Sequence, residues 1–169
     1  MTRKPIYEPV NNNPIYASAA GSSAAGYSLV ELMIVVAIIS IIAAIAIPQY
    51  SEAIDAARIV KVIGDIKAIA TEIDIYSLRN NQYPNTLADV GYDGRQDPWG
   101  QPYQYLNAQD SKNKGKVRKD KNLVPLNSDY DLYSMGRDGE SVSPITAKAS
   151  RDDILRANNG GFIGIATNY

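Results

Sequence analysis

There is no cysteine and no histidine anywhere in this 169-residue chain. Without cysteine, disulfides, thiolate metal sites and cysteine nucleophiles are all excluded. Without histidine, the commonest general base and the commonest metal ligand are missing together, which weighs against an enzyme. No phosphate-cradling glycine loop precedes a helix, so the chain itself carries no nucleotide motif. A membrane-anchored hydrolase would have to use a Ser or Asp nucleophile with a Lys or carboxylate base, and no spacing supports one. Lys and Arg number 17 against 18 Asp and Glu, a net charge of −1, so bulk electrostatics point to no nucleic-acid partner.

The most informative absence is local. From Leu32 to Ser51 the chain carries no charge at all. At about 1.5 Å per residue this stretch makes a helix of about 30 Å, the thickness of a hydrocarbon core. A single carboxylate, Glu31, stands at its start. Left alone in lipid it costs roughly 2.5 kcal/mol or more, so it calls for a partner or a function.

Two plain readings fit poorly. An ordinary secretory signal peptide could be cut after Ala44-Ile45-Ala46, but its apolar region would be overlong and would open with a glutamate. A simple signal anchor leaves Glu31 as an incidental boundary charge. Cleavage between Gly26 and Tyr27 explains more. The new α-amino group would lie four residues before Glu31, on neighbouring helix surface. In a staggered helical assembly, Glu31 of one subunit could meet the free amine of the next, pairing two costly charges and setting a register. The helix macrodipole adds a few tenths of a kcal/mol.

Gly26, Tyr27, Glu31 and the runs Leu32-Met33-Ile34-Val35-Val36-Ala37-Ile38-Ile39 and Ala43-Ala44-Ile45-Ala46-Ile47-Pro48 resemble the leader and N-terminal helix of type IV pilins and type II secretion pseudopilins. The resemblance implies cleavage after Gly26 by a prepilin peptidase, methylation of the Tyr27 amine, and an assembly role for Glu31. One departure is visible: Ser22-Ser23-Ala24-Ala25 stands where the family usually has a basic residue. With Arg3 and Lys4 against Glu8, the leader is only weakly basic. A cytoplasmic N-terminus therefore rests on the resemblance more than on charge. Pro48 predicts either a kink or local melting of the helix, or simply the membrane exit.

Beyond the apolar run, Ile59, Val62, Ile63, Ile66, Ile69, Ala70, Ile73 and Tyr76 recur at three-and-four spacing and predict a core-facing helix stripe. Asn80-Asn81 followed by Pro84 is a helix stop. Asp97-Pro98-Trp99-Gly100 fits a type I turn. Strands are expected at Tyr103–Leu106, Asp131–Met135 and Gly161–Ile165. The segment from Asp110 to Lys121 reads as a basic surface loop; lacking interleaved aromatics, it is a solvated loop rather than a DNA-contacting patch.

Tyr83-Pro84, then Asp97-Pro98-Trp99-Gly100-Gln101-Pro102-Tyr103, then Asp131-Leu132-Tyr133-Ser134-Met135-Gly136-Arg137-Asp138-Gly139 occur in that order. They look like the globular domain of the major pseudopilins, whose C-terminal loop is typically held by calcium where many pilins use a disulfide. The resemblance thus implies calcium here. The candidate ligands are Asp138, Asp152 and Asp153, with the carbonyls of Leu132 and Ser134, since calcium takes oxygens from carboxylates and carbonyls. No EF-hand pattern exists. Thr146 to Ile154 also departs from the family's glycine- and aspartate-rich loop. A second reading stays open: Asp152 or Ser150 caps a short helix beginning near Asp153, with Ile154 and Leu155 packed inward.

The expected fold is α+β: a long N-terminal helix, half membrane-spanning and half amphipathic, packed on a three- or four-stranded antiparallel sheet. Residues 1–26 form a cleaved leader, 27–50 the transmembrane assembly segment, and 51–169 a periplasmic globular domain. The expected function is structural. A subunit anchored in the inner membrane of a Gram-negative-type cell polymerises with itself, and with minor pseudopilins, on an inner-membrane assembly platform to drive protein export. The alternative is a type IV pilin for adhesion, twitching or DNA uptake.

Overall fold

The computed structural model describes residues 26–121 and 123–169. The leader therefore lies outside the described residues, apart from Gly26. Contacts divide the chain into two units at Ala43 and Ala44. A single helix, α1 (Leu29–Asn80), begins in the first and ends in the second. Pro48 lies inside it without interrupting it, so the local melting that the proline suggested does not occur. Proline removes one backbone donor and crowds one carbonyl, and the alanine- and isoleucine-rich turns around it keep their own bonds. The helix ends where Asn81 turns left-handed, with φ 53°. Asparagine tolerates that conformation, so the helix stop is as expected.

Along the first unit and the following turns, Leu29 to Tyr50, the large apolar side chains are exposed, from Leu29 through Ile47. The helix is long and apolar enough to cross a membrane, and its most apolar window has none of its residues buried in the protein. Such a surface is stable only in lipid or against other helices.

In the second unit the stripe expected from periodicity does bury. Val62, Ile66, Ile69 and Ile73 are fully inaccessible, each stabilising by roughly 1.5–3 kcal/mol. They pack against an antiparallel sheet in simple meander order: β1 (Gln104–Asn107), β2 (Tyr130–Ser134), β3 (Ile154–Ala157) and β4 (Phe162–Ile165). Three of the four strands stand where the sequence puts them, within a residue. The fourth corrects an expectation. Residues from Ile154 onward form β3, not a capped helix, although Ile154 and Leu155 do point inward as foreseen.

Both faces of the sheet are covered, and that explains the error. On the α1 side lie Tyr130, Leu132 and Ile154. On the other side Leu155 and Ala157 pack with Leu126, Ile145 and Ala166. Strand β3 is thus buried at all four positions, and the apolar–polar alternation that marks a half-exposed strand is missing. Arg156 is the polar residue within it. Its guanidinium lies 4.0 Å from the Tyr130 ring centre and donates to both oxygens of Asp129, at 2.9 and 2.6 Å.

Candidate functional site

Two regions carry the residues singled out from the sequence. At the N-terminal one, Gly26 to Ser28 precede the helix in irregular backbone, and Tyr27 is 88% exposed. The Gly26–Tyr27 bond thus lies in accessible, non-helical chain, which suits a peptidase. Ser28 ends this segment and caps α1. Its hydroxyl accepts from the Val30 N–H at 3.2 Å, its carbonyl accepts from Leu32 N–H, and Glu31 Oε2 reaches back to the Ser28 N–H at 3.3 Å. Ser28-Leu29-Val30-Glu31 is therefore a capping box, satisfying two orphan donors of the helix start. The sequence reading missed this second role for Glu31 beside its charge, although the Ser-x-x-Glu pattern that signals it was present.

The C-terminal region is built around the turn after β2. The turn Asp97-Pro98-Trp99-Gly100 forms as expected, with Gly100 N–H donating to the Asp97 carbonyl at 3.0 Å. Asp97 then anchors the end of β2: its Oδ2 accepts from the Ser134 hydroxyl at 2.6 Å, and that hydroxyl accepts from Gly136 N–H. Gly136 has φ 68°, and a Cβ there would lie 2.6 Å from Asp152 Oδ2, so glycine is required on two counts. The tight approach lets Asp152 Oδ2 accept from the Arg137 and Asp138 N–H groups, at 2.9 and 3.1 Å. Asp152 therefore caps a turn, not the helix proposed for it. Ser150 caps no helix either; its hydroxyl bonds both backbone groups of Val142.

Asp153 points the opposite way and is fully buried. Its Oδ2 accepts from Arg118 Nη2 at 2.5 Å and from the Ser141 hydroxyl at 2.7 Å. Arg118 Nη1 donates to the same Ser141 oxygen, and the guanidinium lies 4.1 Å from the Tyr133 ring centre. The Arg118 N–H donates to Asp131 Oδ2 at 2.7 Å, while Asn127 donates to Asp131 Oδ1. Burial pushes the Asp131 and Asp153 carboxyls above their ordinary value, and Arg118 opposes that at both. Arg118 is thus a correction to the expected solvated loop. Much of that loop is exposed, but Val117 and Arg118 are buried, and the Arg118 guanidinium supplies the counter-charge that the desolvated Asp153 carboxylate needs.

The five residues considered for calcium are accordingly split. Leu132 sits mid-strand opposite Tyr105, and Ser134 opposite Ile154. Asp138 is exposed and accepts from the Glu140 N–H. The structure brings Asp138 and Asp152 to one turn and sends Asp153 to Arg118. Among the described residues no three acidic side chains gather to hold a metal. Calcium takes roughly six to eight oxygens around one point. As arranged, these residues do not fit it.

Comparison with known proteins addresses the chain as a whole. The family described as Prokaryotic N-terminal methylation motif matches residues 21–47. The chain is similar to the type II secretion system core protein G of Pseudomonas aeruginosa, 35% identical over 136 residues, covering 68% of this chain and 84% of that protein. The chain belongs to this family. The protein of the same name from Aeromonas hydrophila is 32% identical, covering 69% of this chain and 85% of that one. That from Klebsiella pneumoniae is 30% identical, covering 76% and 91%. The protein is a pseudopilin, the structural subunit type of a type II secretion pseudopilus, and this is favoured over the surface pilin alternative. Its apolar helix start fits anchorage in the inner membrane.

Proposed function

We propose that this pseudopilin is the main subunit of a periplasmic filament, extracted from the inner membrane and polymerised to push proteins out of the cell. The observation that carries the reading is similarity to core protein G over 68% of the chain, more than the N-terminal helix alone can hold, combined with an exposed apolar helix that nothing else in the described chain covers. In this reading the globular domain faces the periplasm, where minor pseudopilins and the membrane platform would join it to the growing filament. The role is structural, not catalytic. Deletion of the gene is expected to stop export of secreted proteins while leaving twitching motility intact. Loss of twitching with normal export would instead favour a surface pilus.

Maturation is expected to remove residues 1–26 and methylate the Tyr27 amine. The support is the accessible irregular backbone at Gly26–Tyr27, directly ahead of the capped helix. Intact mass of the membrane form decides the point. A mature start near Ile47 would mean that ordinary signal peptidase cuts instead.

A further inference from the structure

We propose that the Arg118 guanidinium is the resident cation of the C-terminal region, serving where the family resemblance implies calcium, so that this pseudopilin keeps its fold and assembles without the metal. The inference starts from what each carboxylate touches. Asp153 is the deepest of the acidic candidates, and it is paired with a side chain that is itself only 4% exposed. Asp152 has its Oδ2 bound by two backbone N–H groups, and that of Asp138 is one of them.

Chemistry favours the guanidinium at this position over an ion. It is planar and delocalised, so it can lie on the Tyr133 ring while its edge meets a carboxylate and a hydroxyl. A hard divalent cation gains nothing from that aromatic face. Two buried polar atoms of the pair, Arg118 Nε and Asp153 Oδ1, make no hydrogen bond. They are the two atoms that a side-on bidentate contact would add to the existing Nη2–Oδ2 bond, so a small rotation completes the fork. A divalent ion placed at Asp153 would meet the guanidinium's positive charge with little water to screen it.

Position matters as much as charge. Arg118 joins four separated stretches: its own loop, Asp131 on β2, Ser141 after the Gly136 turn, and Asp153 before β3. Three of the four, β2, the stretch after the Gly136 turn and the stretch before β3, are also where the candidate calcium ligands lie.

The test uses full-length protein in detergent, with thermal unfolding followed by near-ultraviolet circular dichroism in millimolar calcium and in chelator. The wild-type curves are expected to coincide. Arg118→Lys keeps the charge but loses the fork and the ring stacking, and should lower the midpoint by several degrees, equally in both buffers. Arg118→Ala risks not folding, and the lysine variant decides without it. A saturable rise of the wild-type midpoint with calcium would overturn the proposal. So would a lysine variant that melts with the wild type.

Discussion

Glu31→Val is expected to insert into the membrane normally and to fail in assembly, with protein export lost along with the filament. Insertion should improve if anything, since the variant removes the charge that opens the apolar segment, a penalty of roughly 2.5–3.5 kcal/mol at full membrane depth. The difficulty lies in separating two roles that the structure places on one side chain. Glu31 completes a capping box with Ser28, and losing a cap costs about 1 kcal/mol. That is too little to abolish polymerisation of a helix carrying so much exposed apolar surface. Glu31→Gln separates the roles, because glutamine serves equally in a capping box but brings no charge to a neighbour's amine. If charge pairing sets the register, Glu31→Gln fails nearly as completely as Glu31→Val. Filaments sheared from overproducing cells and quantified by immunoblot give the readout. Wild-type yield from the glutamine variant would reduce Glu31 to a helix cap.

The parts of this protein that were legible in its sequence are those governed by local periodicity. Val62, Ile66, Ile69 and Ile73 announce the buried face of α1 because helical spacing alone sets which residues align. Asp97, Pro98 and Gly100 announce their turn because each position has its own backbone requirement. What stayed hidden depends on residues far apart in the chain. Strand β3 is covered on both faces, so Asp152-Asp153-Ile154-Leu155 looks like a helix start until the second core under the sheet is seen.

Arg118 was obscured by its setting among Lys112, Lys114, Lys116, Lys119 and Lys121. A run of charges reads as solvated surface, and only a partner 35 residues away, Asp153, makes one member of it a core residue. One cue did exist. Arg118 is the lone arginine among those lysines and follows Val117, and guanidinium suits buried pairing where ammonium does not. The carboxylates misled for a related reason: adjacent Asp residues suggest a shared metal, but in extended chain successive side chains point to opposite sides. Asp152 and Asp153 do so here, one to the Gly136 turn and one to Arg118.

The other large effect is expected at the second buried pair, and it should be unequal between partners. Arg156 and Asp129 form a bidentate contact on the α1 side of the sheet, with the arginine side chain 5% exposed and the aspartate side chain 13%. Asp129→Ala leaves a guanidinium stacked on the Tyr130 ring, able to keep its bond to the Tyr130 carbonyl but with no counter-charge in contact. Stranding a buried charge in this way costs roughly 3–5 kcal/mol. For a domain of this size that lowers the melting midpoint by roughly ten degrees or more. Arg156→Leu should cost less. It keeps apolar volume in the strand, and the carboxylate left behind lies at the edge of β2, where water can reach it and where the Tyr130 N–H already donates to it at 2.6 Å. The double variant Asp129→Ala with Arg156→Leu should recover part of the loss, because no charge is then left buried. Thermal melts of the three full-length variants in detergent measure this directly. Equal losses for the two single variants, or a double variant no better than Asp129→Ala, would mean that the pair acts through packing and not through its charges.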